Sequence, residues 1–356
     1  MVTQPHILII GGGLIGLATA RSCLDHGARV TLAERRAQTG RGAGFANSGM
    51  IHPSQAWPWV KDGLSDAVQE RAARDVASLS GHAVSTLQAR MKALGLTDIS
   101  RRQGCYQIFE SVARRDAAKL RYGITKTQTR DAVLLGRPAL NFPQDFSGNA
   151  HAWSAAETAV LIADGAEIIT GAETQLSHQN GKLSATLNGK AVKADHIILC
   201  TGHRINERLD DVGLSLPVKP VRGFAIEFDV SDIDLSSLPD APVMDASSHS
   251  ALTKFGTRLR LSGTLGELSA RPLWQRWCTL LPDVMTTLPA PHLIWSGVRP
   301  VSALGRPIIT QSPIKGLWVN SGHGHMGWTL SMVSGALIAD MIINGADDNH
   351  FDWPNS

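Results

Sequence analysis

The sequence predicts an α/β fold: a parallel βαβ domain assembled from segments far apart in the chain, joined to a second domain of mostly antiparallel β-sheet with helices. Three observations predict it. A short apolar run, His6–Ile10, ends in glycines and leads into a helical pattern. Alternating polar and apolar residues dominate 218–263, the pattern of an antiparallel sheet with one wet face. A helical run returns at 328–344, with Leu330, Val333, Leu337 and Met341 on one face.

His6–Ile10 reads as the first strand. Residues 14–26 read as a helix, because Leu14, Leu17, Ala18, Ala20 and Leu24 fall near one face; Gly27 closes it. Arg29–Glu34 reads as the second strand, and parallel neighbours need such a crossover. Residues 37–56, rich in Gly, Ser, Asn and Thr, form a long loop of the kind that carries function. Residues 64–95 read as amphipathic helix and 104–109 as strand. The S-A-A-E run at 154–157 has the form of a capping box ahead of an apolar helix at 158–163. Further strands are expected at 166–170, 183–187, 195–200 and 317–320, with an antiparallel sheet from 221–230, 251–255 and 258–262. On this reading residues 1–80, 145–215 and 300–356 make the first domain, and 81–144 and 216–299 the second.

Composition excludes several classes. With 43% hydrophobic and 18% charged residues, disorder and coiled coil are excluded. A net charge of +3 is too small an excess to argue for nucleic acid. Cys23, Cys105, Cys200 and Cys278 form no C-x-x-C pair and have no partner His at metal spacing, so zinc and disulfide frameworks are poor readings and a reducing compartment fits. The apolar stretch 7–20 is broken by Gly11, Gly12, Gly13 and Gly16, and no other run is expected to reach the ~18–20 residues of a membrane span. The expectation is a cytoplasmic protein, with peripheral contact to the inner face of a membrane left open.

Gly11, Gly13 and Gly16 fit G-x-G-x-x-G, with Leu14 and Ile15 between the last two. The first glycine allows a tight turn, the second lets backbone approach a pyrophosphate, and the third lets helix and strand pack closely. The helix start then offers free amides and a positive dipole end to phosphate. Glu34 lies 18 residues beyond Gly16, near the spacing of a carboxylate that grips ribose hydroxyls. This motif does not separate FAD from NAD. Glu34 argues against NADP, although Arg35 and Arg36 blur that, since Arg can pair with a 2′-phosphate.

Three more segments carry a resemblance: G-F-A-N-S-G-M at 44–50, C-T-G at 200–202, and G-V-R-P at 297–300 followed by G-L-W-V-N-S-G-H-G-H-M-G-W-T at 316–329. With the N-terminal fingerprint they resemble the D-amino-acid oxidase/glycine oxidase superfamily of FAD-dependent oxidoreductases, and most of all its bacterial D-amino-acid dehydrogenase branch. The likeness runs in order from His6 to about residue 344. It implies an FAD-binding, Rossmann-like first domain and a substrate-binding second one. It also implies that Ala46, Asn47, Ser48, Gly49 and Met50 lie along the flavin, where small residues suit close approach to a flat ring. Thr201 and Gly202 would close the cofactor domain, and Glu173 and Thr174 would meet adenine through backbone atoms. Gly322, His323, Gly324, His325, Met326, Gly327, Trp328 and Thr329 would face the pyrimidine edge, where a helix start stabilises anionic reduced flavin. No Cys lies between Arg299 and Thr329, where some amine-oxidising relatives attach flavin, so non-covalent FAD is expected.

The resemblance gives Arg299 the catalytic and substrate-binding role of holding a carboxylate, for which a guanidinium fork is suited. His249 stands in the region where the family often places Tyr. His52, His325 and Tyr106 are further substrate-binding candidates, and Trp57 and Trp59 candidates for an apolar wall. His323 and His325, two apart in a Gly-rich turn, make a poor zinc site, so no metal is expected. The implied reaction is oxidation of an amino acid at Cα, a D-amino acid foremost, by hydride transfer to flavin N5. The imine then hydrolyses to a 2-oxo acid and ammonia. Open beside it stand oxidation of glycine-, sarcosine- or opine-type amines, a flavoprotein subunit of a larger dehydrogenase, and an NAD-dependent dehydrogenase, which leaves 322–329 unexplained. The residues do not choose between a quinone, a partner subunit and oxygen as electron acceptor.

Overall fold

The computed structural model describes residues 4–96, 102–346 and 351–354. A six-stranded sheet runs in the order Ile308–Gln311, Leu317–Ser321, His196–Leu199, His6–Ile10, Arg29–Glu34, Glu167–Thr170. Only the first pair is antiparallel. His6–Ile10 is buried at every position, as a parallel strand covered on both faces must be, and its continuous apolar run reflects that. Helix Leu14–Asp25 follows it, and Gly27 then takes the left-handed conformation, φ 81°.

Closing helix Gly327–Ile343 packs on the first helix. Their backbones nearly touch, because a Cβ on Gly335 would lie 2.8 Å from the Ala18 carbonyl. Contrary to the expectation of no long apolar run, the stretch Gly324–Ile343 has a mean hydropathy of 1.5 over its most apolar window, long and apolar enough to cross a membrane. In the fold 56% of that window is buried, and the helix serves as a core element.

A second sheet is built almost wholly from antiparallel pairs. Its order is Leu293–Ser302, Val218–Asp229, Arg258–Gly263, Ser250–Phe255, Val243–Asp245, Arg102–Ile108, Arg137–Ser147, Met50–Ile51, with Arg130–Leu134 on the flank of Arg137–Ser147. Helices Arg271–Leu280 and Pro282–Thr287 cover one face, burying Trp277, Leu273 and Met285 against Phe228, Leu259 and Leu261. The other face looks toward the loop after Arg29–Glu34. A small antiparallel sheet, Thr174–Gln179, Lys182–Leu187 and Lys190–Val192, completes the strands.

The structure corrects several local expectations. The run 154–157 is not a capping box. The helix starts earlier, at Ala150, with Asn149 accepting from the His151 and Ala152 amides. Ser154 and Glu157 are internal, Glu157 holding Arg90 in a buried two-point pair at 2.6 and 2.7 Å. The expected long helix at 64–95 breaks at Ser80–His82. Strand Arg137–Ser147 forms even though it contains Pro138 and Pro143, which ordinarily disfavour a strand interior. It and Leu293–Ser302 run through two of the expected domain limits.

Candidate active site

The glycine turn is built as a cradle. Gly11 has φ 110°, and a Cβ there would lie 2.5 Å from the Cys200 carbonyl oxygen. A Cβ on Gly16 would collide with the Gly11 carbonyl, so helix and turn are in backbone contact. Around Gly13 nothing lies within 4 Å of such a Cβ, and no side chain caps the helix that starts there. Leu14 is buried beneath the turn and Ile15 half-buried. Glu34 is buried at its edge, accepting from the Gly12 and Arg36 amides, each at 2.8 Å. Arg35 is exposed.

The loop at 44–50 is held from behind by the second sheet. Arg260 donates to the Asn47 carbonyl at 2.8 Å and Thr253 to the Ser48 carbonyl at 2.9 Å. Glu227 pairs with Arg260 and fixes it. Asn47 turns the loop by accepting from the Gly49 amide. Gly49, at φ 71°, lies against the Phe255 ring, where a Cβ would have no room. Ala46 and Met50 are buried.

Between this loop and the sheet lies a cavity open to solvent. Arg299, Ala46, Asn47, Ser48, Met50, His52, His249 and His325 all line it, together with Trp59. Arg299 donates to the Thr264 carbonyl at 2.9 Å and lies over Gly223, whose missing side chain makes its space. No carboxylate among the described residues pairs with it, and burial alone pushes the guanidinium down to about 10. The imidazoles form a cluster on Trp59: His325 stacks on it at 4.0 Å and 9°, and His249 at 5.0 Å and 33°. His52 meets His325 edge-on at 6.0 Å.

Burial pushes the His52 imidazole down to about 4, partly offset by a hydrogen bond that the ring donates to the His325 backbone. Burial also holds His325 well below the usual range, and lowers His249 with help from Lys61. The cluster is therefore neutral at pH 7. His249 has φ 48°, an uncommon conformation for a side-chain-bearing residue, and such strain concentrates at functional sites.

The turn at 322–329 reaches the cavity through His325. Gly322 and Gly324 take φ 78° and 56°, and Gly324–Met326 forms a 3-10 turn into the helix that Gly327 begins. No side chain caps that helix start. Thr329 accepts from the His52 amide at 3.0 Å, and His325 bonds to the Gln55 carbonyl at 2.8 Å. Trp328 instead turns into the core against Trp153. Gly202 follows strand His196–Leu199 with φ 60°.

A dinucleotide carrying flavin fits these residues. The uncapped amides and open space at Gly13 suit a pyrophosphate. Thr201 Oγ1, His52 Nδ1 and both ring nitrogens of His323 are buried with no protein partner among the described residues, and buried polar groups ordinarily have one. Comparison with known proteins agrees. Residues 6–341 match the DAO family, described as FAD dependent oxidoreductase. The chain belongs to this family.

Its relatives include the D-amino acid dehydrogenase of Granulibacter bethesdensis, 27% identical with 95% of each chain covered. That of Vibrio atlanticus is also 27% identical, with 96% of this chain and 97% of the relative covered. The fold is shared with iminodiacetate oxidase from a Chelativorans species, at TM-score 0.81 and 21% identity over 97% of this chain and 98% of the other. Glycine oxidase from Geobacillus kaustophilus matches at TM-score 0.78 and 21% identity over 98% and 97%.

One expected substrate contact of this oxidoreductase lies outside the cavity. Tyr106 does not line this cavity. Strand neighbours face opposite sides: Cys105 packs beside the cavity with Met50 and Met244, while Tyr106 packs with Ile108 and Val243 in the core behind. Glu173 is exposed, and its backbone amide and carbonyl both bond Asn188, at 2.8 Å each; Thr174 is half-buried at the start of the next strand. The sequence reading missed Trp295 in the wall and Gly223 under Arg299. Gly223 did carry a signal: a lone glycine inside an alternating strand marks a close approach.

Proposed function

We propose that this oxidoreductase oxidises an amino acid at Cα, D-amino acids foremost, with FAD held non-covalently. One observation carries the reading. Arg299 is a cation without a counter-charge, set in a cavity whose described lining holds no Asp or Glu. Its free guanidinium edge suits a substrate carboxylate in a two-point pair. No acid stands ready to hold an ammonium, so the amine binds neutral, with its lone pair available as the Cα–H bond breaks. The three neutral imidazoles supply hydrogen bonds without adding charge. When bound, FAD supplies the two-electron sink for that bond, since cofactors carry the hard chemistry. The product imine hydrolyses in water to a 2-oxo acid and ammonia. The protein's part is orientation: Arg299 fixes the carboxylate, and the 44–50 loop, braced by Arg260 and Thr253, sets the distance.

The test is an absorbance spectrum of the purified protein before and after anaerobic addition of a D-amino-acid mixture. Bleaching of a flavin spectrum is the expected result. A flavin spectrum that D-amino acids leave unchanged would overturn the substrate class, and release of less than all the flavin on denaturation would overturn non-covalent binding.

A further inference from the structure

We propose that Asp245 and Arg276 are positioning residues: from behind the second sheet they hold His249 in the cavity, where its imidazole meets the substrate carboxylate beside Arg299. The inference rests on the carboxylate reading of Arg299 and deepens it. His249 ends the four-residue turn 246–249 between strands Val243–Asp245 and Ser250–Phe255. Its φ of 48° is uncommon for a residue with a side chain, and such a conformation persists only where the surroundings over-determine it. The His249 carbonyl lies against Gly263, where a Cβ would come within 2.5 Å of it.

Asp245 supplies the rest of that constraint. Its side chain is 1% exposed, and its carboxylate accepts from the Ser248 amide and hydroxyl at 3.2 and 2.6 Å and from the Ser247 hydroxyl at 2.9 Å. Arg276, on helix Arg271–Leu280, grips the same carboxylate at two points, 2.7 and 3.0 Å, and donates to the Ser247 hydroxyl at 2.7 Å. Its neighbour Trp277 donates to the Ser250 hydroxyl at 3.0 Å, and that hydroxyl shares a hydrogen bond with Ser248. The turn is therefore tied on both sides of His249 to a helix on the face away from the cavity. Neither Asp245 nor Arg276 lines the cavity. Alternation along the strand sends Met244 to the cavity and Asp245 to the helix. His249 is what the clamp presents to the other side, tilted on Trp59 at 5.0 Å and close enough to Arg299 for the two charges to interact. A serine-rich turn without this clamp would be free to relax out of the left-handed conformation and carry the imidazole away from the carboxylate.

The experiment compares wild-type holoenzyme with Arg276→Gln, Arg276→Lys, Asp245→Asn, His249→Ala and the double variant Arg276→Gln/His249→Ala. The first readout needs no ligand: the NMR signal of the His249 ring in isotope-labelled protein, identified by its loss in His249→Ala. The second is KM and kcat for D-alanine, and the third the Kd of propanoate from perturbation of the flavin spectrum. In Arg276→Gln and Asp245→Asn the ring signal should leave its Trp59-shifted position, while Arg276→Lys stays nearest to wild type. KM and Kd should rise by about 2–10-fold, the range of one lost hydrogen bond, with kcat changing less and FAD content retained. The two substitutions remove opposite charges, so an effect through charge alone would move KM in opposite directions, whereas lost position raises it in both. The double variant should be no weaker than His249→Ala alone, because the clamp acts through that ring. If buried Asp245→Asn does not fold, the part-exposed Arg276→Gln decides. An unmoved ring signal, opposite changes in KM, or a loss that adds in full to His249→Ala would overturn the proposal. Wild type that binds propanoate without oxidising D-alanine would sink the amino-acid reading, and the Kd values would still decide the clamp. Wild type that binds neither would remove the Arg299 reading and the clamp's role with it.

Discussion

In the turn of residues 11–16 the working groups are main-chain amides from one short stretch, whereas the cavity around Arg299 collects side chains from 46–59, 244–251, 295–299 and 325. The turn functions through what it lacks: at Gly11 and Gly16 a Cβ would strike backbone, and at Gly13 the space is open. The cavity functions through what it holds, a cation and three imidazoles around one indole. Adding atoms should damage the first region, and removing them the second.

The largest effect should come from deletion in the cavity. Arg299→Ala should cost kcat/KM for amino acids roughly 2–5 kcal/mol, the penalty for truncating one partner of a desolvated charge pair. FAD content and the flavin spectrum should be retained, because Arg299 bonds Thr264 and no part of the glycine turn. A variant that lost FAD together with activity would erase the distinction between the two regions.

The imidazoles give the cavity a pH dependence that the turn does not share. The His52 pKa falls from 6.5 to about 4 on folding. The unfolded chain therefore binds a proton that the folded one refuses, and stability falls with pH between those two values. It is fully present above 6.5 and lost as pH approaches about 4. The loss from this one group reaches about 3 kcal/mol at the acid end. His52→Gln should flatten the acid limb of a denaturation-midpoint profile; an unaltered limb would show that another group sets it.

Gly13→Val tests the turn. With φ −78° and no neighbour within 4 Å of a Cβ, the position accepts a side chain without strain in the protein alone. Valine should leave the melting temperature of FAD-free protein unchanged, while weakening FAD by about 1–3 kcal/mol, the usual cost of overpacking a close contact. Equal losses in both would mean that Gly13 is structural.

The same contrast explains what could be read from the chain. A backbone-built site needs its glycines contiguous, so Gly11, Gly13, Gly16 and Glu34 were legible from spacing, as were the buried strands His6–Ile10 and Arg29–Glu34 from their apolar runs. The side chains of the cavity converge only through pairing of distant strands. Arg299 and the three histidines were found through resemblance, and Gly223 was missed because nothing local says that residue 299 crosses above it. Tyr106, a pocket candidate that could equally be a half-buried core residue, lies in the core for a related reason. Alternation says that Cys105 and Tyr106 face opposite ways, but not which face is the cavity.

The smallest effect lies where the two regions meet. The Asn47 and Ser48 carbonyls of the 44–50 loop point at Arg260 and Thr253 of the second sheet. Thr253 is buried, and its hydroxyl donates to Ser48 at 2.9 Å. Thr253→Val keeps the shape, removes that donor and leaves the Ser48 carbonyl short of a partner, at a cost of about 1–3 kcal/mol in stability. Because the change lies on the second sheet and leaves the glycine turn untouched, FAD should remain bound. The loop that sets its distance to substrate would loosen, and kcat should fall by less than about tenfold, consistent with the sensitivity of positioned reactions to small misplacements. Amino-acid KM should hold, since Arg299 is untouched. A rise in KM with constant kcat would instead place Thr253 in substrate binding, and would move the border between cofactor support and substrate recognition onto the sheet itself.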